Sequence, residues 1–385
     1  MDFELTEEQK MIQSLARDFV NERLKPLERD ILGRSADLSD AHVSLPPEKE
    51  AELIKMAKDI GLWGIGVPVE LGGAGLDSFT VCLVEEELAQ TVVPFHFGDI
   101  TPLLFDCSEG QREKFLKPAL DYEKKPYLAL MESDGSTDPS SMKMTAEKEK
   151  DRYVLNGRKL SLSRASDDYF AVVFARTEDG ITCFLVDKDT EGFSVSGGEE
   201  NTGWLTRVRE PMSLLFEKCW VPVENVLGKE GMAFQLGSKW LPQRRLVRGA
   251  RCVGVARRLL DEASVQAQSL VTFGKPIFER INIQAALADI AMNINAARLM
   301  VYEAAWDSDI GKTLRNKAAM VKLYTTEMVQ TVADRVAHIF NGPAYTEGLP
   351  MARLCRRALE SAAVELTLEK QRRIIAGDIL KGLKF

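Results

Sequence analysis

Apolar positions recur with two different periods along this chain, and the changes of period divide it into three. Near the start, Met11, Ile12, Leu15, Phe19 and Val20 fall three and four residues apart, the apolar face of one helix. Thr6 and Gln9 precede them with capping-box spacing, the hydroxyl suited to accept an orphan amide and the glutamine to reach back. Pro46 and Pro47 open a second helix with apolar face Leu53, Met56, Ala57 and Ile60, and Gly61 is suited to end it. Further helices are predicted over 78–91 and after Ser108, where Gln111 repeats the capping-box spacing. Between them lies GLWGIGVPVELGGAGLD (61–77), which is glycine-rich. No strand leads into it and no Lys-Ser/Thr follows, so it reads as a tight surface loop rather than a phosphate loop.

From about 125 the period shortens. YLALME, RYVLNG, YFAVVFAR, ITCFLVDK, GFSVSG and MSLLFEKCWV are short, rich in β-branched and aromatic residues, and separated by Gly, Asp, Asn and Ser. With no helices between them, they predict an antiparallel barrel or sandwich and no Rossmann unit. From about 230 the helical period returns. Leu287, Ile290, Ala291, Ile294, Ala297, Met300, Val301 and Ala304 form one unbroken ladder, and Val321, Tyr324, Met328, Val332 and Val336 another. With 235–270 and 350–382 they make a four-helix bundle. The predicted class is α+β: an N-terminal α-helical domain over 1–122, a middle antiparallel β-barrel or sandwich over 123–230, and a C-terminal four-helix bundle over 231–385.

Composition narrows the function classes. The 385 residues suffice for two or three domains. A net charge of -8 argues against a nucleic-acid surface, which needs a basic face. The longest wholly apolar runs, such as YFAVVFA (169–175), fall far short of the roughly 20 residues a membrane helix needs. The acidic opening MDFELTEEQK lacks the apolar core of a signal peptide. Cys82, Cys107, Cys183, Cys219, Cys252 and Cys355 form no CxxC pair, which reads as reduced, mostly buried thiols of a cytoplasmic protein. His42, His96 and His338 lie far apart, so no metal site has sequence support, and no GxSxG elbow supports a serine hydrolase.

Several stretches, in order, resemble the acyl-CoA dehydrogenase family. The loop 61–77 carries Gly61, Pro68, Glu70, Gly72, Gly73 and Gly75 as that family's loop does. RYVLNGRK (152–159) and WVPVENVLG (220–228) resemble strand-turn signatures of its β domain. FGKPIFERINIQAALADIAM (273–292) resembles its bundle signature, and AAWDSD (304–309) the end of that helix. The resemblance spans nearly the whole chain and implies the acyl-CoA dehydrogenase-like three-domain fold, an FAD cofactor and an acyl-CoA thioester substrate.

The same resemblance makes Glu365, within PMARLCRRALESAAVELTLEKQRRIIAGDILKGLKF, the general base. It would remove the α-proton while the β-hydride passes to flavin N5, giving a trans-2-enoyl-CoA. Such a base needs a carboxyl pKa raised by apolar surroundings, which Ala362, Ala363, Val364 and Leu366 are suited to supply. The family's other base position, on the first bundle helix, is Arg244 here. ALMESDGSTD (129–138) resembles the loop lying against flavin and acyl-CoA. In it Met131 stands where a threonine would contact the flavin ring, Glu132 matches, and Thr137 replaces a serine that would hydrogen-bond the pantetheine. In LSLSR (160–164), Ser163 keeps a hydroxyl and Ser161 replaces a tryptophan that would cover the flavin. Arg245 sits at the family's substrate-binding arginine. Phe273, Gln284, Asn341, Gly342, Thr367 and Glu369 complete the implied cofactor contacts.

Implied partners are an electron-transfer flavoprotein as acceptor and further copies of the chain in a homotetramer, a dimer of dimers. Two other readings stay open. One is a weakly or non-catalytic subunit completing a second homologue's flavin site, motivated by Leu270 in place of an arginine and by His338, Asn341 and Ala344 in place of Gln and two glycines. The other is a flavin monooxygenase of the same fold, against which the retained Glu365 speaks. Arg244, Arg248 and Arg251 form one basic helix face, whose ordinary reading is a solvated or ion-paired stripe. The family follows its glutamate with glycine, whereas Leu366 follows here and RRALESAAVELTLEKQRRII has no breaker. A leucine at positive φ costs about 1–2 kcal/mol. A local distortion is therefore expected around 365–368 with the carboxylate facing the pocket. A straight helix with Glu365 in solvent would favour the non-catalytic reading.

Overall fold

The computed structural model describes residues 4–34, 45–132, 141–161, 168–196, 212–342, 350–362 and 367–382. In chain order the helices are α1 (Glu7–Phe19), α2 (Glu28–Arg34), α3 (Pro47–Asp59), α4 (Ser78–Leu88), the short α5 (Glu109–Gln111) and α6 (Lys117–Leu120), α7 (Ala233–Ser269), α8 (Ile281–Asp309), α9 (Arg315–Phe340), α10 (Pro350–Glu360) and α11 (Leu368–Leu380). Two compact units result: Met1–Gly66, Leu76–Phe97 and Leu241–Phe385 form one, Val67–Gly75 and Gly98–Trp240 the other. The division falls inside α7 next to Pro242, whose ring removes an amide donor and crowds the carbonyl four residues back.

The helical unit is built from the faces the periodicity marks. Leu246 and Val253 of α7, Ile290, Ile294 and Val301 of α8, Val321, Val329 and Val336 of α9, and Leu354 of α10 share one core. Both predicted capping boxes form, at Thr6/Gln9 and Ser108/Gln111. Small residues let the helices approach closely: a Cβ on Gly254 of α7 would lie 2.1 Å from the Glu86 carbonyl oxygen of α4.

Glu85, Glu86 and Glu87, consecutive on α4, are all buried. Arg251 grips Glu85 through Nε and Nη2 at 2.7 and 3.0 Å. Glu86 accepts from Arg257, Arg298 and the Tyr302 hydroxyl, and Glu87 from Arg17, Arg257 and Gln90. Burial opposes ionisation of Glu87, but the guanidinium groups of Arg17 and Arg257 outweigh it and hold the carboxyl below its usual range. A depressed native pKa stabilises above the unfolded-state pKa and is lost as pH falls through the native value. The helical unit is therefore expected to resist urea well above pH about 4.5 and to weaken below it. Urea midpoints at pH 6 and pH 4, followed by far-ultraviolet circular dichroism, check this. Equal midpoints for the unsubstituted protein, or the same fall in Glu87→Gln, would contradict it.

In the second unit the strands are β1 (Lys125–Ala129), β2 (Thr145–Glu149), β3 (Arg152–Ser161), β4 (Tyr169–Thr177), β5 (Gly180–Asp187), β6 (Phe193–Ser196), β7 (Met212–Pro222) and β8 (Val226–Leu227), in the order β6-β7-β3-β2-β4-β5-β8. β1 pairs with β4, and that pairing is parallel, as is the single pair Thr145–Arg176 between β2 and β4. The sheet is thus mixed where the spacing suggested wholly antiparallel pairing. The β2–β3 hairpin intervenes between β1 and β4, and a connection that long permits a parallel return. The inner face carries Tyr127, Tyr153, Leu155, Phe184, Leu214 and Phe216. The glycine-rich loop is tight, as expected: the amides of Gly72, Gly73 and Gly75 return to the carbonyls of Val69, Pro68 and Val67, and a Cβ on Gly73 would lie 2.2 Å from the Val67 oxygen. The remaining strands, β9 (Val271–Thr272) and β10 (Lys275–Pro276), form a small hairpin in the helical unit.

Candidate active site

In the β unit, β1 leads into Met131 and Glu132. Met131 bridges to Leu160 at the end of β3, the Leu160 amide donating to the Met131 carbonyl at 2.8 Å, and the Met131 side chain is exposed. The Glu132 carboxylate accepts from the amides of Lys143 and Met144 at 2.9 and 3.0 Å and from Lys159 Nζ at 2.9 Å. It therefore links the residues that follow β1 to those that lead into β2. Arg176 adds to this closure by donating to the Met142 carbonyl. Burial works against the Glu132 charge, but Lys159 and the two amides outweigh it and hold its carboxyl below the usual range. Ser161 is buried at the end of β3 opposite Met212. Thr137 and Ser163 lie outside the described residues.

In the helical unit, Arg245 of α7 is buried, while Arg244 and Arg248 beside it are half-buried. Arg251 is ion-paired with Glu85, so the basic stripe is at least partly an internal one. Phe273 and Gly274 form the two-residue turn between β9 and β10, both with positive φ. The Phe273 ring is 98% exposed, its neighbour being the Arg280 guanidinium 5.6 Å from the centroid. Gln284, in the first turn of α8, donates to the Phe278 carbonyl at 3.0 Å. Asn341 follows α9 with φ of 56°, and a Cβ on Gly342 would meet nothing within 4 Å. A cleft of about 180 Å³ between α8 and α9, lined among others by Asn293, Tyr324, Glu327 and Arg335, includes none of the predicted site residues.

The last segment is not one straight helix. α10 ends at Glu360, and Thr367, in extended conformation, caps α11 by accepting from the Lys370 amide. Glu369 stands in the first turn of α11, and Gln371 is buried and donates to the Thr367 carbonyl at 3.4 Å. Glu365 and Leu366 lie outside the described residues, within the interval between the two helices. α9 is the platform on both sides: it packs against α10 and α11, and Arg372 pairs with its Glu327.

Three residues that hold these segments went unnoticed in the sequence. Lys159 is buried at the end of β3, and the signal was register, since it shares the inward face with Tyr153 and Leu155. Lys322 is fully buried on α9 among Ala318, Val321 and Thr325, and its Nζ donates to the Ser361 carbonyl. Arg357 of α10 donates to the carbonyls of Thr91, Val92 and Val93. No local pattern marks that contact, because its partners are some 265 positions away.

Among the described residues no helix is long and apolar enough to cross a membrane. Family models for the N-terminal, middle and C-terminal domains of acyl-CoA dehydrogenase match residues 6–123, 128–213 and 230–380. The mitochondrial short-chain specific acyl-CoA dehydrogenase of Rattus norvegicus is 31% identical over 99% of this chain and 92% of its own length. The (R)-benzylsuccinyl-CoA dehydrogenase of Thauera aromatica is 32% identical over 99% and 97%. The structure of butyryl-CoA dehydrogenase from Megasphaera elsdenii superposes with a TM-score of 0.85 at 30% identity, covering 99% of this chain and 100% of that one. With its helical first and last segments around a central β-sheet, this chain belongs to the acyl-CoA dehydrogenase family, oxidoreductases acting on CH–CH bonds.

Proposed function

We propose that the protein is an FAD-dependent acyl-CoA dehydrogenase that converts an acyl-CoA thioester to the trans-2-enoyl-CoA, with Glu365 as the base. The observation that carries this reading is the helix break. α10 stops at Glu360 and Thr367 caps α11, so the described residues on either side of position 365 do not form one continuous helix. The Glu365 carboxylate takes the α-proton, and the positive charge at Arg244 excludes the other base position of the family. By resemblance, Arg245 and Thr137 bind the thioester's carrier. When bound, FAD supplies the two-electron acceptor for the β-hydride.

The residues suit such a cofactor. Phe273 offers a large exposed ring at a hairpin tip, and Gly342 leaves its surroundings open. Gln284, Asn341, Thr367 and Glu369 are the further residues of the helical unit that would hold it. Phe273, Ile281 and Met292, exposed by 98%, 78% and 65%, are large apolar side chains left uncovered by this chain. They support assembly with further copies, in the homotetramer the resemblance implies. An electron-transfer flavoprotein is the proposed acceptor. A cytoplasmic location fits the buried free cysteines, of which burial pushes Cys107 and Cys219 up to about 12. The partner-subunit reading keeps one supporting observation, since Leu270 packs against the bundle core where the family carries an arginine.

The purified chain is expected to be yellow, with about one flavin per chain, and to bleach anaerobically on addition of one of a series of acyl-CoA thioesters. A protein that stays colourless after reconstitution with FAD would contradict the reading and favour the partner-subunit alternative.

A further inference from the structure

One side of α7 is neither core nor surface. Between Leu241 and Arg251, helical spacing sets Leu241, Arg244, Val247, Arg248 and Arg251 on that side, and all five are half-buried. The opposite side, with Leu246, Gly249, Ala250 and Val253, is buried in the bundle, and a Cβ on Gly249 would lie 2.6 Å from Val321 Cγ1 of α9. The half-buried side thus mixes apolar residues with guanidinium groups. Like charges one turn apart, as at Arg244 and Arg248, weigh against a helix, and partial burial adds to their cost.

The neighbouring helices treat these arginines unequally. Arg251, Arg257 and Arg258 meet Glu85, the Glu86–Glu87 pair and the Gln90 carbonyl in that order, so α4 and α7 run alongside in the same direction. Beside the start of α7, the α4 stretch Ser78 to Val84 carries no charged residue. At the end of α10, the exposed carboxylate of Glu360 is shared by Arg357, Arg248 and Arg356, three cations to one anion. A further anion on this side of α7 would offset the crowding of positive charge. The apolar neighbours Leu241 and Val247 suit a single carboxylate on a carbon chain better than a multiply charged phosphate. We propose that this side of α7 receives the acyl part of the thioester, and that Arg248, with Arg244 one turn away, binds a carboxylate carried by it. The substrate class is then the acyl-CoA thioesters with an acidic acyl chain. This rests on the dehydrogenase reading above and narrows it.

Glutaryl-CoA and valeryl-CoA match in acyl length and differ in a terminal carboxylate. Isothermal titration of the FAD-loaded enzyme is expected to show glutaryl-CoA binding about tenfold more tightly or better, the effect of one charge-assisted bond. Arg248→Met should weaken glutaryl-CoA about tenfold or more and leave valeryl-CoA within about threefold, a split that general destabilisation would not give. Arg248→Lys, which keeps the charge, should keep most of the preference. If Arg248→Met does not fold, Arg248→Gln takes its place. Equal affinities, tighter binding of valeryl-CoA, or no binding of glutaryl-CoA overturns the proposal. An equal loss for both thioesters in Arg248→Met assigns the arginine to the phosphates of CoA and overturns it as well. Selective binding of glutaryl-CoA by a protein whose flavin no acyl-CoA bleaches would instead end the dehydrogenase reading and leave the carboxylate site standing.

Discussion

Glutamine at position 365 is expected to leave the protein folded and yellow and to slow anaerobic bleaching by acyl-CoA about 10⁴-fold, the upper range for loss of a general base. Glutamine keeps the shape of the side chain but cannot take a proton, so thioester binding should survive while the chemical step fails. The alternative position on α7 is Arg244, a permanent cation, and Arg245 beside it is buried. Glu360, the last residue of α10, lies five positions earlier and is exposed. Glu360→Gln is therefore the matched control, expected within about twofold of the unsubstituted rate, well inside the range of a surface substitution. Stopped-flow absorbance at the flavin band measures both. Loss of bleaching in Glu360→Gln with retention in Glu365→Gln would reverse the assignment.

The second large effect is expected at Lys159. Its ammonium is fully buried, and the Glu132 side chain it meets is only 11% exposed. Lys159→Met would leave that carboxylate with its two amide donors but no counter-charge. Breaking one partner of a buried pair costs about 3–5 kcal/mol. In a unit of this size that corresponds to a fall of roughly 10 °C in the thermal midpoint. Because Glu132 binds Lys143 and Met144, which flank the proposed thioester contact Thr137 in sequence, thioester binding should weaken as well. The double substitution Lys159→Met with Glu132→Leu removes both charges and is expected to recover much of the midpoint but not the thioester affinity, since the closure is still missing. Differential scanning calorimetry and thioester titration separate the two. A midpoint within 2 °C in the single variant would contradict the assignment of a structural role.

The fold was legible because its signals are local. The three- and four-residue ladders of α8 and α9, the capping boxes at Thr6 and Ser108, and the alternation in β3 and β4 all depend on near neighbours. The parallel pairing of β1 with β4 was not legible, because spacing along the chain does not say which strand a distant one will meet. The contacts that support the expected site residues were not legible. Glu132 was read as a cofactor contact, and its bonds to Lys159 and to the amides of Lys143 and Met144 were not foreseen. The distortion expected around 365–368, with the carboxylate facing the pocket, falls largely outside the described residues; among these, α10 ends at Glu360 and Thr367 caps α11. Buried cations such as Lys159, Lys322 and Arg357 look like ordinary surface charges in sequence, because burial is decided by contacts far away along the chain.

The central claim is that Glu365 takes the α-proton of a bound acyl-CoA. An acyl-CoA analogue with sulfur in place of the β-carbon has no hydride to give, so proton removal can be watched without redox chemistry. With the FAD-loaded enzyme in deuterium oxide, the account predicts that the α-hydrogens of such a thioester exchange for deuterium, and that Glu365→Gln slows this exchange at least 100-fold while still binding the analogue. Exchange at the unsubstituted rate in Glu365→Gln would contradict it.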